Sequence, residues 1–133
     1  MSVLAKHDPL KDRIATRELI NETRDRLESI PIPVAGYLVD CDEISDKRMK
    51  ETIDNWDFLQ LESITWIMAN NEPVVMTKAE MESIYTGMRQ ARVFRGAQIH
   101  RDSRLFKNNP ATTERDLIDW QIDVLAQNTL TEE

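Results

Sequence analysis

The stretch ITWIMANNEPVVMTKAEMESIY, Ile64 to Tyr85, reads as strand, tight turn, strand and the opening of a long helix. Ile64, Thr65, Trp66 and Ile67 suit a half-buried pleated strand, as do Val74, Val75 and Met76 across the gap. Between them Asn70-Asn71-Glu72-Pro73 supplies the turn, because asparagine tolerates left-handed backbone angles and proline fixes φ. Alternation places Ile64, Trp66 and Met68 on one face and Thr65 and Ile67 on the other, so the Trp66 face is expected to pack on a helix. A lone hairpin is marginal in water, and the core must come from helices.

Thr77 with Glu80 three residues later matches a capping box, in which the threonine oxygen takes an orphan helix N–H and the glutamate reaches back. Met81, Ile84, Tyr85 and Met88 then share one helical stripe, which is expected to lie over the hairpin as core. Val93 and Phe94 point about 130° away from that stripe at 100° per residue. Either the helix bends, for which Gly87 and Gly96 are the cheap points, or it carries a second apolar face. Arg89, Arg92, Arg95, Arg101 and Arg104 make the segment basic. Phe94 with Arg89, Arg92 and Arg95 is therefore a candidate interface; packing of this face against the C-terminal helix is the reading the pattern favours.

Asn108-Asn109-Pro110 ends the segment, and Thr112 or Thr113 caps a last helix. Leu117, Trp120 and Val124 form one apolar stripe there, with Ile118, Ile122 and Leu125 on the adjoining one and Glu114, Asp116, Asp119 and Asp123 outside. Leu117, Trp120 and Val124 are the second set of interface candidates, able to cap the domain's own core or to enter a neighbour's groove. On the second reading, removal of Ala111 to Glu133 costs partner binding more than stability.

Towards the N-terminus, Asp8 and Pro9 signal a helix running to about Ser29, with Leu10, Ile14, Leu19, Ile20, Thr23, Leu27 and Ile30 as its stripe. Pro31 and Pro33 stop it, and Val34 to Val39 suggests a second small hairpin around Gly36. The carboxylates of Asp40-Cys41-Asp42-Glu43 are of a type that suits calcium or magnesium, yet the stretch lacks an EF-hand's glycine and later glutamate. These acids are read as capping the coming helix, with Ser45 as the better cap. Met49, Ile53 and Trp56 descend one face of that helix, which is expected to end near Leu59 and to bring Trp56 to Trp66 in a shared core.

At 133 residues, with 41% hydrophobic and 31% charged residues, the chain fits one domain with a modest core. Mean hydropathy is -0.51, and no apolar run approaches the roughly 20 residues of a membrane helix. The opening MSVLAKHDPLKDR lacks the apolar centre of a secretory signal, so synthesis in a cytoplasm is expected. Cys41 stands alone, which excludes an internal disulfide, and reads as a small half-buried hydrophobe. Net charge is -7 but runs in blocks: Asp40–Glu62 carries 3 basic and 8 acidic residues, Lys78–Lys107 carries 7 and 3, and Ala111–Glu133 carries 1 and 6. Such blocks suit electrostatic docking between copies or with protein partners. A pI near 4.9 makes nucleic acid a poor partner. His7 and His100 have no nucleophile motif beside them, and no GxSxG, P-loop, GxGxxG, HExxH or CxxC occurs. No catalytic residue, cofactor or metal site is expected.

The run IPVAGYLVDCDEIS, a helix, then ITWIMANNEPVVMT and a further helix resembles a domain of unknown function that recurs in bacteriophage tail and tail-fibre-associated proteins. The matching positions are Gly36, Tyr37, Asp40, Asp42, Ser45, Trp66, Ala69, Asn70, Asn71, Val74, Met76 and Thr77, with Arg24-Asp25-Arg26-Leu27 fitting the family's first helix. The resemblance covers roughly residues 20 to 105. It departs at Pro31-Ile32-Pro33 and over residues 108–133. Its pattern consists of turn, cap and core positions and brings no catalytic residue.

The expected fold is α+β and helix-dominated, with about four helices and one or two short antiparallel β-hairpins. Residues 1–8 are expected as an arm, 9–107 as the domain and 108–133 as a helical extension. The resemblance implies a non-enzymatic tail protein, made in the host cytoplasm and located in the virion tail, linking tail or baseplate to fibres in a multi-copy assembly. Alternatives are a tail-fibre assembly chaperone not retained in the virion, and a phage regulator that binds a host protein.

Overall fold

A computed structural model of the chain describes residues 7–130. Of the arm expected over residues 1–8, residues 1–6 lie outside the described range, as do residues 131–133. The chain is a helix-dominated α+β domain. A 3-10 turn, Pro9–Asp12, precedes helix α1, Arg17–Glu28. Strands β1 (Ile32–Val34) and β2 (Tyr37–Val39) form a hairpin, and helices α2 (Glu43–Asp54) and α3 (Trp56–Leu59) follow. A second hairpin, β3 (Ile64–Ile67) and β4 (Pro73–Met76), leads into the long helix α4 (Lys78–Asn108) and then α5 (Glu114–Gln127).

Each hairpin is an antiparallel pair on its own, and one bond joins the two: the Ala69 amide donates to the Leu38 carbonyl at 2.8 Å. The first turns on Ala35 and Gly36, both at positive φ (51° and 85°), where glycine carries no Cβ penalty. The second has the register read from sequence, Trp66 opposite Val74 and Ile64 opposite Met76. Asn71 takes the left-handed conformation (φ 66°), and the Asn70 side chain accepts from the Glu72 amide at 3.3 Å. Ile64 and Trp66 are half-buried and Met68 is buried, whereas Thr65 and Ile67 face out.

Two apolar clusters make the core. The first gathers Ile32, Val39, Cys41, Met49, Trp56, Met68 and Met76 under Met81, Ile84 and Met88 of α4, with Trp66 packed against it. Trp56 and Trp66 do share this cluster, and the Trp56 indole donates to the Leu61 carbonyl at 2.8 Å. The second joins Ile20 and Leu27 of α1, Ile99 of α4, and Leu117, Trp120 and Val124 of α5. Full burial of each such side chain is worth about 1.5–3 kcal/mol.

Several local expectations need correction. The first helix does not run from Pro9 to Ser29. Asp8 caps only the 3-10 turn, and Thr16 caps α1 by accepting from the Leu19 amide at 3.1 Å. The intervening backbone pairs instead with the entry to α5: the Ala15 amide donates to the Thr112 carbonyl at 2.9 Å and the Glu114 amide to the Arg13 carbonyl at 2.8 Å. Ile14, placed on the buried stripe by periodicity, is consequently exposed. Asp42, not Ser45, caps α2, its carboxylate accepting from the Ser45 amide at 2.9 Å. The helix expected to reach Leu59 breaks at Asn55, and left-handed Gln60 (φ 56°) ends α3. Neither Gly87 nor Gly96 breaks the long helix, which runs unbroken over 31 residues. At Gly87 a Cβ would stand 2.8 Å from Val34 Cγ1, so this glycine admits β1 close to the helix rather than weakening it.

Candidate functional site

The outer face of α4 is the candidate docking surface, and its geometry follows from how the rest of the helix is used. Thr77 and Glu80 close the capping box at its start, with the Thr77 amide donating to Glu80 Oε1 at 3.1 Å and the Glu80 amide to Thr77 Oγ1 at 3.3 Å. Met81, Ile84, Met88, Arg95, Ile99 and Ser103 are its buried residues. They recur near seven- and four-residue intervals and bring the other elements to one side.

Arg95 sits on this inner stripe, so its place among the interface candidates is a correction. It is buried, and Nη2 donates to the Glu28 and Ile30 carbonyls at 2.9 and 2.8 Å while Nη1 donates to Asn128 Oδ1 at 3.1 Å. The Glu28 carbonyl is an orphan acceptor of the last turn of α1 and Ile30 follows its cap, and a cation there is favoured by the helix dipole. The same Nη2 lies 3.3 Å from Cys41 Sγ, and the thiol donates to the Ile30 carbonyl at 3.1 Å. Burial pushes the Cys41 thiol above its ordinary range, against the opposing pull of Arg95. That leaves a neutral packing group rather than a reactive thiolate.

Arg92 and Arg89 turn towards α2. Arg92 donates to the Cys41 carbonyl at 3.0 Å and lies 2.8 Å from Asp46, while Arg89 stands 3.9 Å from the same carboxylate and over the Tyr85 ring. Asp46 also accepts from the Tyr85 hydroxyl at 2.8 Å. Burial first, and this bond second, raise the Tyr85 pKa. Arg92 is thus largely committed to tying α4 to α2, and Arg89 forms the rim of what lies beyond.

Beyond that rim Val93 is 70% and Phe94 68% exposed. With Tyr85, Thr86, Gln90 and Ala97 they line a shallow, mostly apolar depression of about 760 Å³. The favoured expectation that α5 covers this face is not met. α5 packs on α1 and on the 3-10 turn, because the stripe that reaches α4 does so at Ile99 and Phe106 on the helix's other side. Leu117, Trp120 and Val124, proposed as interface residues, are buried in this shared core, a second correction. Residues 108–130 therefore pack onto the domain, and the exposed apolar residues of α5 are Ile118, Ile122 and Leu125.

Further exposed apolar residues are Phe58, 85% exposed, and Leu61, which sequence reasoning missed, and Ile67 and Val75 on the outward face of the second hairpin. The alternation of β3 and β4 assigned Ile67 outward, but Phe58 carries no such signal in a one-turn helix. The acids Asp40, Asp42 and Glu43 do not form a shared ligand set. Asp42 is held below the ordinary carboxylate range by its bonds to Ser45, whereas Asp40 is raised by desolvation and then by Asp42. Among the described residues no three His, Cys, Asp or Glu side chains are grouped as a metal site. No helix of the described residues is long and apolar enough to cross a membrane.

Comparison with known proteins bears on the same architecture. No curated protein and no solved structure matches the chain. A family described as "Domain of unknown function (DUF4376)" matches residues 11–122. That span takes in α1, both hairpins, all of α4 and α5 as far as Ile122, and the chain therefore belongs to the DUF4376 family.

Proposed function

We propose that this chain is a non-enzymatic structural adaptor of a bacteriophage tail, linking tail or baseplate to the tail fibres through protein–protein contacts. The reading is supported by the ordered motif resemblance from Gly36 to Thr77. The observation that carries it is the apolar face of α4 at Val93 and Phe94, exposed on a helix whose opposite face is fully occupied by the chain's own core. Two adjacent large apolar side chains beside an arginine rim have the composition of an interface centre, since aromatic and arginine anchors carry most binding energy. The scaffold beneath is rigid because Arg92 and Tyr85 bind α4 to Asp46 of α2. A partner that fills the depression meets a preformed surface and loses little entropy in ordering it.

Mass spectrometry of density-banded phage particles tests the reading. A fixed ratio of this polypeptide to the fibre protein is the expected result. Absence from particles, together with co-purification with free fibre protein from lysate, would replace the adaptor by an assembly chaperone.

A further inference from the structure

We infer that the C-terminal half of α4 is a self-association surface, on which two copies of this chain pair with their α4 helices parallel across a two-fold axis. Leu105 is 62% exposed and lies between two clefts of opposite charge. The cleft between α1 and α4, about 730 Å³, is lined by Arg17, Arg101, Arg104 and Lys107. The cleft between α4 and α5, about 360 Å³, is lined by Asp102, Asp119 and Asp123. At 100° per residue Arg101 and Arg104 fall about 40° and 100° to one side of Leu105, and Asp102 about 60° to the other.

Apart from the adjacent Arg101 and Asp102, these opposite charges are not paired with each other within the chain. Among the described residues, Arg17, Arg104, Lys107 and Asp123 make no ion pair within 4.0 Å. Asp119 reaches Arg115 only at 4.0 Å, and Arg101 reaches its neighbour Asp102 at 3.4 Å. An acidic foreign partner would use the basic cleft and leave Leu105 and the acidic cleft without a role. A second copy uses all three. With the two-fold axis along α4, Leu105 meets Leu105 and the basic side of each copy faces the acidic side of the other, as charged flanks do in parallel coiled coils. Antiparallel helices would set like charges together, so the pattern specifies orientation as well as pairing. Phe94 lies about 16 Å up the axis from Leu105 and about 20° around it on the same side of the helix, so this pairing sets the two Phe94 docking faces side by side.

Charge-swapped chains test this without any phage partner. One variant carries Arg101→Glu and Arg104→Glu, the other Asp102→Lys and Asp119→Lys. Circular dichroism checks that each is folded. In sedimentation velocity the natural chain is expected at twice its 15.5 kDa mass, each variant alone at the single-chain mass, and their equimolar mixture again at twice that mass. A natural chain that stays single up to about 1 mM, or variants that each dimerise alone, would overturn the inference. Leu105→Asp is expected to abolish the dimer, and an unchanged mass for that variant would also overturn it.

Discussion

Arg95, at the middle of α4, donates to the backbone carbonyl of Ile30 at 2.8 Å, across 65 residues of sequence. The bond sets one guanidinium at the end of α1, beside the start of the first hairpin and the last turn of α5 through Asn128. Arg95→Ala takes the guanidinium from the Glu28 carbonyl, leaves the Ile30 carbonyl to the weak Cys41 thiol donor, and removes a buried, multiply bonded charge. A loss of about 3 kcal/mol or more is expected in urea unfolding. Arg95→Lys should recover less than half of it, because one ammonium cannot reproduce the fork. A loss below about 0.5 kcal/mol, the range of an ordinary surface change, would refute the role given to Arg95.

Phe94→Asp should behave oppositely. The ring is mostly exposed, so the melting temperature and the circular dichroism spectrum are expected to stay close to those of the natural chain. Incorporation into particles should be lost. A variant that fails to fold would show that the ring supports the domain.

Truncation after Asn109 is expected to abolish the cooperative melt, reversing what the amphipathic pattern of α5 suggested. Leu117, Trp120 and Val124 fill one of the two clusters. Losing a large core side chain typically costs about 2–5 kcal/mol, and three of them reach the about 5–15 kcal/mol total stability of a domain. A sharp two-state transition in the truncated chain would show that α5 is an accessory.

The contact between the 3-10 turn and α5 should be sensitive to acid. The Arg115 guanidinium, 2.6 Å from Asp8, is the main cause holding that carboxyl below its ordinary value of 3.8. A depressed folded-state pKa contributes stability that is fully present above the unfolded value and is lost as pH falls through the folded one. Asp8→Asn should therefore lower the melting temperature at pH 7 and make no difference once the pH is well below 3.8. An equal deficit at both ends of the range would mean that packing, not charge, accounts for the effect.

What could be read from sequence was local. The Asn-rich turn, the Gly36 hairpin and the Thr77–Glu80 box are each decided by neighbours within a few residues, and all appear where their chemistry puts them. The break before Thr16 was invisible because it is made by hydrogen bonds to Thr112 and Glu114, about a hundred residues away. Arg95 was misassigned by charge, although its spacing to Met88 and Ile99 places it on the inner stripe. For the docking surface, periodicity found Val93 and Phe94 as an odd face. Whether α5 would cover them depended on the angle at which α5 returns, which no local pattern encodes.

α4 contributes to both apolar clusters, Met81 to Met88 in one and Ile99 in the other. Its 31 residues make a strut of about 46 Å. A pull on the second hairpin reaches the three-helix end along one continuous ladder of hydrogen bonds, with no loop to stretch between them. In mechanical terms the domain is a stiff lever with a separate anchorage at each end, and a displacement imposed at one end is delivered at the other nearly undiminished.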